Sequence, residues 1–198
     1  MTETTSNSVN FSSVPFPWQS AQWTQLSRAF AASQLAHAYL FSGSEGLGKS
    51  LFAGGFARYL LCLNPIAQST VGRLADTDVA CGTCKNCLKG GVGNHPDILT
   101  IEPEQGSKNI KIDQIRWLSE FVIRSSHSGG AKVAIIANAH LLNTNAANAL
   151  LKTLEEPNSN THVFLVSDHP GRLVATIRSR CQKLAFQAPR ADIAAPWL

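Results

Sequence analysis

The sequence contains neither a long hydrophobic run nor a dense cluster of basic residues. No apolar stretch approaches the roughly 20 residues that a membrane-spanning helix needs. Residues 1–10 are rich in Thr, Ser and Asn and lack the basic and apolar regions of a signal peptide. The net charge of +4 is compatible with a nucleic-acid partner but does not by itself indicate one. These absences predict a cytoplasmic protein that does not contact a membrane.

Cysteine is also scarce, with five among 198 residues. Because no export signal precedes them, we expect reduced thiols rather than a disulfide framework. Hydrophobic residues make up 44% of the chain, which is enough for a globular core. The length suits one large domain, or one domain with a small insert.

Short apolar runs alternate with segments of helical periodicity after an extended lead-in at residues 1–17. Helices are predicted at residues 18–35, 51–63, 112–123, 144–155 and 173–178. Strands are predicted at residues 38–41, 97–101, 132–137, 162–167 and 182–186. Asn143 is expected to cap the fourth helix. This alternation predicts an α/β fold with a mainly parallel sheet covered by helices on both faces. Ligands of such sheets bind at the edge formed by the carboxyl ends of the strands.

Residues 43–50 match the phosphate-loop pattern G-x-x-x-x-G-K-[ST] at the junction between a predicted strand and a predicted helix. The fixed positions of this pattern are Gly43, Gly48, Lys49 and Ser50, and Gly46 adds a further glycine. Glycines allow successive backbone N–H groups to face phosphate oxygens, and the helix N-terminus adds partial positive charge. The lysine would reach the β- and γ-phosphates, and the serine hydroxyl would complete a Mg²⁺ shell. The alternative is a glycine turn with a solvated lysine.

The acidic residues of a hydrolysing phosphate-loop enzyme are missing where they are expected. Such enzymes hold Mg²⁺ with an Asp at the end of a second buried strand. The strand at residues 132–137 instead ends in Ala137 and Asn138, neither of which is a carboxylate. Asp97 is the competing acid at a strand, but it lies at the start of that strand, which is the wrong end. The sequence therefore predicts a site that binds nucleotide, if at all, without turning it over at a useful rate.

A short segment rich in Gly, Pro and Thr carries most of the cysteines. The pattern C-x₂-C-x₂-C, together with one upstream cysteine, predicts a structural tetrahedral Zn²⁺ site. The expected ligands are Cys62, Cys81, Cys84 and Cys87. An iron–sulfur site would want a further cysteine where Gly91 stands, and a redox pair would not carry a third thiol nearby. Free thiols are the remaining alternative, and His95 is the one substitute ligand nearby.

Three segments together resemble the clamp-loader subunits of bacterial DNA polymerase III, which belong to the AAA+ superfamily. They are the loop at residues 43–50, the four cysteines, and the run at residues 148–157 followed by the Ser-Arg-Cys triplet at residues 179–181. The motor subunit (gamma/tau) would carry Asp-Glu at the positions of Ala137 and Asn138. Because this chain does not, it is more similar to the delta-prime subunit. Residues 59–62 and 94–97 also resemble delta-prime.

The resemblance implies an AAA+ ATPase-like domain at residues 18–190, with the zinc insert at about residues 62–95. Residues 191–198 would begin a C-terminal lid region. Arg180 would be an arginine finger for the ATP site of an adjacent motor subunit, and Ser167 would be the polar sensor residue. The implied partners are the gamma/tau and delta subunits, and, through the complex, the sliding clamp and primed DNA. ATP and Mg²⁺ binding stays open because the loop is intact.

Two other functions are compatible with the residues. The chain could be a hydrolysing motor subunit of the clamp loader, which ATP turnover by the chain alone would reveal. It could instead be a zinc-dependent DNA-binding module with a vestigial phosphate loop, which salt-dependent DNA binding lost on chelation would reveal.

Overall fold

The computed structural model describes residues 15–67, 78–91 and 93–195. Most of the predicted lead-in at residues 1–17, the middle of the predicted insert and the last three residues of the predicted lid segment lie outside these ranges. None of the helices in the described part of the chain is long and apolar enough to cross a membrane.

Helices and strands alternate along most of the described chain. The helices are α1 (Ser20–Ala31), α2 (Lys49–Leu60), α3 (Lys85–Gly91), α4 (Ile112–Ile123), α5 (Thr144–Glu155), α6 (Ala175–Arg180) and α7 (Ala191–Ala194). The strands are β1 (Ala38–Ser42), β2 (Ile66–Ala67), β3 (Asp78–Val79), β4 (Ile98–Ile101), β5 (Lys132–Ile136), β6 (Thr161–Ser167) and β7 (Gln182–Ala185). A 3-10 turn at Pro17–Gln19 precedes α1.

Five strands form one sheet in the order β4-β5-β6-β1-β7, and every neighbouring pair is parallel. The register aligns the carboxyl ends of the central strands, with Ser42 of β1 opposite Ser167 of β6. Ile136, the last residue of β5, lies opposite Leu165 of β6. The predicted α/β fold with a mainly parallel sheet is therefore confirmed.

Hydrophobic side chains of the central strands alternate between two separate cores. On one face Tyr39, Phe41 and Phe164 pack with α1 and α2, where Trp23 and Phe56 are fully buried. On the other face the intervening residues of the same strands, among them Ala38, Leu40 and Leu165, pack with α4, α5 and α6. Because adjacent strand residues point to opposite faces, apolar residues at consecutive positions indicate a sheet covered on both sides. The structure has this arrangement.

The predicted elements agree with the structure most closely where periodicity and capping coincide. Helix α4 has the predicted bounds, and the Oδ1 atom of Asn143 accepts the N–H of Ala146 at 2.8 Å, as expected for the cap of α5. The helix predicted at residues 51–63 instead spans Lys49–Leu60, because Gly48 adopts a left-handed conformation and starts it earlier. The helix predicted at residues 173–178 is shifted to Ala175–Arg180, since Leu173 and Val174 are still extended.

The insert contains more regular structure than the sequence suggested. Strands β2 and β3 pair antiparallel, and α3 follows the first cysteines of the C-x₂-C-x₂-C run. The insert packs on α2 and the adjacent turn, where the Nδ2 atom of Asn86 donates to the carbonyl of Leu61 at 2.8 Å. Cys87 and Val79 belong to the same core as α1 and α2. The insert is therefore attached to the sheet domain through a shared core.

Candidate functional site

The phosphate loop connects the carboxyl end of β1 to the start of α2. Gly46 and Gly48 have φ angles of 81° and 75°, a left-handed conformation that favours glycine. Nothing lies within 4 Å of the position that a Cβ on Gly46 would take. Ser50 is exposed in the first turn of α2, and the N-cap residue of that helix is Gly48, which has no side chain to cap it. The loop therefore presents an open backbone and a free hydroxyl at a helix N-terminus, which fits a phosphate group and a Mg²⁺ ligand.

Residues that precede α1 also contact the phosphate loop. The Nε2 atom of Gln19 donates to the carbonyl of Leu47 at 2.9 Å, and the indole N–H of Trp18 donates to the same carbonyl at 3.3 Å. A Cβ on Gly48 would lie 2.7 Å from the ring of Phe16. These contacts fix the conformation of the loop from a segment about 30 residues upstream.

Lys49 is buried, and its ammonium group is fully occupied within the protein. It donates to the carbonyl oxygens of Gly43, at 2.9 Å, and of Ser44. It also forms an ion pair with Asp168, whose Oδ1 lies 2.6 Å from Nζ. Asp168 follows Ser167 directly, and Ser167 is aligned with Ser42, so the register of β1 and β6 brings the carboxylate to the loop. The three donors of the ammonium thus have three internal acceptors.

Asp168 is a site residue that the sequence analysis missed. The sequence signal that could have found it is its position immediately after a buried parallel strand, at the edge where ligands bind. Ser167, the predicted sensor residue, is fully buried at the same edge. Its hydroxyl lies 3.4 Å from Nδ1 of His140. Burial lowers the pKa of His140, an effect that the nearby Asp168 carboxylate opposes.

The end of β5 carries no carboxylate, as expected from the sequence. Ala137 is buried and donates its N–H to the carbonyl of Ile101 at 2.8 Å, while Asn138 turns the chain with a φ of 53°. Asp97 lies at the opposite edge of the sheet, where its carboxylate accepts the N–H groups of His127 at 2.8 Å and Ser128 at 2.9 Å. Burial alone would raise the pKa of Asp97, but these donors outweigh it and the pKa is lowered. Asp97 therefore has a structural role.

The four predicted metal ligands come together in space. The Sγ atoms of Cys62, Cys81, Cys84 and Cys87 all lie within 4.8 Å of one another. The Sγ atoms of Cys81 and Cys87 are 3.9 Å apart. Tetrahedral coordination with Zn–S bonds of about 2.3 Å separates the sulfurs by about 3.8 Å, so the cluster fits a single metal ion. Cys181 lies apart from the cluster, in the core beneath α4 to α6.

Backbone donors favour the thiolate form of part of this cluster. The N–H groups of Cys84 and Thr83 lower the pKa of Cys81 to about 6, and the Cys84 N–H lies 3.3 Å from the sulfur. The Cys81 N–H in turn donates to the sulfur of Cys62 at 3.3 Å, although burial raises the pKa of Cys62. Burial likewise raises the pKa of Cys87. His95, the alternative ligand, is not part of the cluster. Its Nδ1 instead accepts the N–H of Asp97 at 3.0 Å.

Arg180 lies at the edge of the sheet opposite the phosphate loop. It ends α6, and two residues later Gln182 pairs with Tyr39 near the start of β1. The two ends of β1 are separated by about 13 Å at the usual rise per strand residue. The Nη2 atom of Arg180 lies 2.6 Å from Oε1 of Glu155, and its side chain is 36% exposed. Arg180 therefore faces away from the loop of its own chain.

A five-stranded parallel sheet with a phosphate loop after a central strand and helices on both faces defines a P-loop domain of the AAA+ type. A solved structure supports this fold: a DNA polymerase III gamma-subunit-related protein from Thermotoga maritima matches with a TM-score of 0.58 at 21% identity, over 86% of this chain and 47% of that one. The sequence profile of the family described as DNA polymerase III, delta subunit, matches residues 18–190. The chain belongs to this family.

Curated relatives agree with this assignment. The chain is 43% identical over 183 residues to the DNA polymerase III subunit delta' of Pseudomonas aeruginosa, which covers 92% of this chain and 52% of that protein. It is 34% identical over 165 residues to the subunit tau/gamma of Haemophilus influenzae, covering 83% of this chain and 22% of that protein. The chain is thus more similar to the delta' protein, and it spans about half the length of that relative.

Proposed function

We propose that this chain acts in the clamp loader of DNA polymerase III as a delta-prime subunit. In this role it is a largely non-hydrolysing stator that supports loading of the sliding clamp onto primed DNA. Its direct neighbours would be gamma/tau and delta subunits. The higher identity to a delta' protein than to a tau/gamma protein supports the choice between the two subunits. The absence of a carboxylate at Ala137 and Asn138 supports the same choice, because a motor needs an acid there.

The observation that carries the proposal is the orientation of Arg180. Its side chain is partly exposed at the amino edge of the sheet, a strand length away from the phosphate loop of its own chain. An arginine in this location cannot serve its own loop, but it is accessible to a neighbouring subunit. We therefore assign Arg180 as the arginine finger that stabilises the transition state in an adjacent ATPase subunit.

The loop at residues 43–50 is proposed to bind nucleotide phosphates without hydrolysing them. Gly43, Gly46 and Gly48 would shape the backbone around the phosphates, with Lys49 as the cationic contact. Ser50 would bind Mg²⁺, and Ser167 would be a polar contact at the same edge. When bound, Mg²⁺ would neutralise phosphate charge. The chain's own contribution is to orient the phosphates, and it lacks a base at the end of β5 to activate water.

To test this proposal, Arg180 is replaced by Ala in the full-length protein and the variant subunit is assembled into the clamp-loader complex. DNA-stimulated ATP hydrolysis at the adjacent site should fall by roughly 10³-fold or more. The total ATP turnover of the complex should therefore fall by the fraction that this site contributes. The matched control is Arg116→Ala, which removes an exposed, ion-paired arginine from α4. Lys49→Ala in this subunit should leave total turnover near wild type. Unchanged turnover in Arg180→Ala would exclude the finger, and brisk ATP hydrolysis by this chain alone would favour a motor.

We also propose that the four cysteines hold one structural Zn²⁺ ion. The four thiols converge from the turn after α2, from the segment between β3 and α3, and from the first turn of α3, and their spacing suits tetrahedral sulfur coordination. Four protein ligands leave no position for a reacting water, so the metal would stabilise the insert rather than catalyse. Metal analysis of freshly purified protein should find about one zinc per chain, and clearly less would contradict the assignment.

A further inference from the structure

The ion pair between Lys49 and Asp168 has a consequence for the ligand of the phosphate loop. A phosphate-loop lysine normally reaches the β- and γ-phosphates of a bound nucleotide, whereas the loop N–H groups hold the α- and β-phosphates. Here the three donors of the Lys49 ammonium are taken by two loop carbonyls and by Asp168. A phosphate oxygen that approaches Lys49 must displace one of these acceptors.

Electrostatic repulsion opposes a phosphate that competes with the Asp168 carboxylate for Lys49. The Oδ1 atom of Asp168 lies 2.6 Å from Nζ of Lys49, so a phosphate oxygen bonded to the same ammonium would be a near neighbour of the carboxylate. Two negative groups at such a distance repel each other, and the repulsion is strong because Lys49 is buried and Asp168 is only 18% exposed.

We propose that Asp168 makes this loop selective for a nucleoside diphosphate over a nucleoside triphosphate. The inference rests on the proposed phosphate-binding role of the loop and is independent of the role of Arg180. A diphosphate is held mainly by the loop N–H groups and the N-terminus of α2, so that only its β-phosphate approaches the Lys49–Asp168 pair. A triphosphate adds the γ-phosphate, a second charged group that reaches Lys49 and is repelled by the carboxylate. Selectivity then comes from a repulsive element in the site.

This selectivity agrees with a stator that does not turn over nucleotide. A subunit that retains a diphosphate would keep one loop conformation while neighbouring subunits exchange and hydrolyse ATP. The carboxylate at the end of β6 would disfavour a triphosphate at a site where Ala137 and Asn138, at the end of β5, already supply no carboxylate to activate water.

The test compares Mg-ADP and Mg-ATP binding by calorimetry in wild type, Asp168→Asn and Asp113→Asn. Wild type should bind ADP at least about tenfold more tightly than ATP, a difference of about 1.4 kcal/mol. Asp168→Asn removes the charge with little change of shape, so ATP affinity should rise by roughly tenfold while ADP affinity changes much less. Asp113→Asn removes one exposed charge from the first turn of α4 and should change neither affinity.

Additional variants separate the outcomes. Lys49→Ala should weaken both nucleotides, and Asp168→Ser should reproduce the affinities of Asp168→Asn if the lost charge is the cause. Urea unfolding of each variant verifies that it is folded. Equal affinities of wild type for the two nucleotides, or an equal gain for both in Asp168→Asn, would overturn the selectivity. Absence of nucleotide binding in every variant would overturn both the selectivity and the phosphate-binding role, and would leave the Arg180 proposal standing.

Discussion

Arg180 and Glu155 form an ion pair that joins the last residue of α6 to the last residue of α5. The Nη2 atom of Arg180 lies 2.6 Å from Oε1 of Glu155, and Nη1 donates to the carbonyl of Thr176 at 3.0 Å. The guanidinium is therefore held from two sides although it is partly exposed. An arginine that acts on a neighbouring subunit gains from such positioning, since less conformational freedom is lost when it binds.

Glu155→Gln should weaken the proposed action of Arg180 in the assembled complex. The change removes the charge that holds the guanidinium, so DNA-stimulated turnover should fall, but less than in Arg180→Ala. Both side chains are substantially exposed, so the pair contributes only about 0.2–1 kcal/mol to stability. Steady-state ATPase assays of both single variants and the double variant check this prediction. The double variant should be no worse than Arg180→Ala alone, and a further loss would contradict a positioning role for Glu155.

The cysteine cluster should bind zinc more weakly as the pH falls. At neutral pH the thiol of Cys81, with a pKa of about 6, is mainly a thiolate, whereas burial keeps Cys62 and Cys87 protonated in the metal-free protein. Zinc must displace at least these two protons, so its apparent affinity should fall by about a hundredfold per pH unit. Competition with a chromogenic chelator at several pH values measures the slope.

Cys181→Ala provides the control for this measurement, because Cys181 is buried away from the cluster. This variant should retain about one zinc per chain with the same pH dependence. A slope near zero in wild type would contradict the displacement of protons and, with it, thiolate coordination by all four residues.

Asp97 should make a pH-dependent contribution to stability. The N–H groups of His127 and Ser128 lower its pKa below the ordinary value of 3.8, despite its burial. A lowered folded-state pKa gives stability that is present above the unfolded value and is lost as the pH falls through the folded value. Asp97→Asn should therefore cost roughly 2 kcal/mol at pH 7, and less at pH 3. Urea unfolding at both pH values measures the difference, and an equal cost at both would contradict the charge-based origin.

The sequence predicts those features of the fold that depend on local patterns. Helix α4 and the Asn143 cap of α5 follow from apolar periodicity and from a side chain that bonds three residues ahead. The four cysteines were recognised because three of them lie within seven residues. The Lys49–Asp168 pair could not be found in this way, because it depends on which strand lies beside β1. Strand order is a tertiary property, so the position of Asp168 after a predicted strand indicates its edge of the sheet but not that Lys49 is its partner.

The same limit applies to the direction in which Arg180 points. The Ser-Arg-Cys triplet suggested a role for this residue through its resemblance to a family, but its distance from the loop follows only from the parallel pairing of β7 with β1. The shifted start of α6 has a related cause. Leu173 is buried in an extended conformation, so tertiary packing overrides its tendency to begin a helix.

Substitutions at Gly46 and Gly48 can separate two costs in stability: that of a left-handed backbone in a non-glycine residue, and that of a steric clash with Phe16. Both have left-handed backbones, with φ angles of 75° and 81°. A Cβ on Gly46 would meet nothing within 4 Å, whereas a Cβ on Gly48 would lie 2.7 Å from the ring of Phe16. Gly46→Ala should therefore cost only the backbone strain, about 1–2 kcal/mol. Gly48→Ala should cost about 1–3 kcal/mol more, because the Phe16 ring and the neighbouring amide of Gln19 must move.

Urea unfolding of the two alanine variants, alone and combined with Phe16→Ala, measures both contributions. If the clash with Phe16 is the cause, removing the ring should recover much of the excess cost of Gly48→Ala and none of the cost of Gly46→Ala. Additive effects of Phe16→Ala and Gly48→Ala would contradict this explanation, since residues in direct contact are expected to couple. Coupling would also establish that the segment before α1 sets the conformation of the loop, and hence the positions of the N–H groups that face a phosphate.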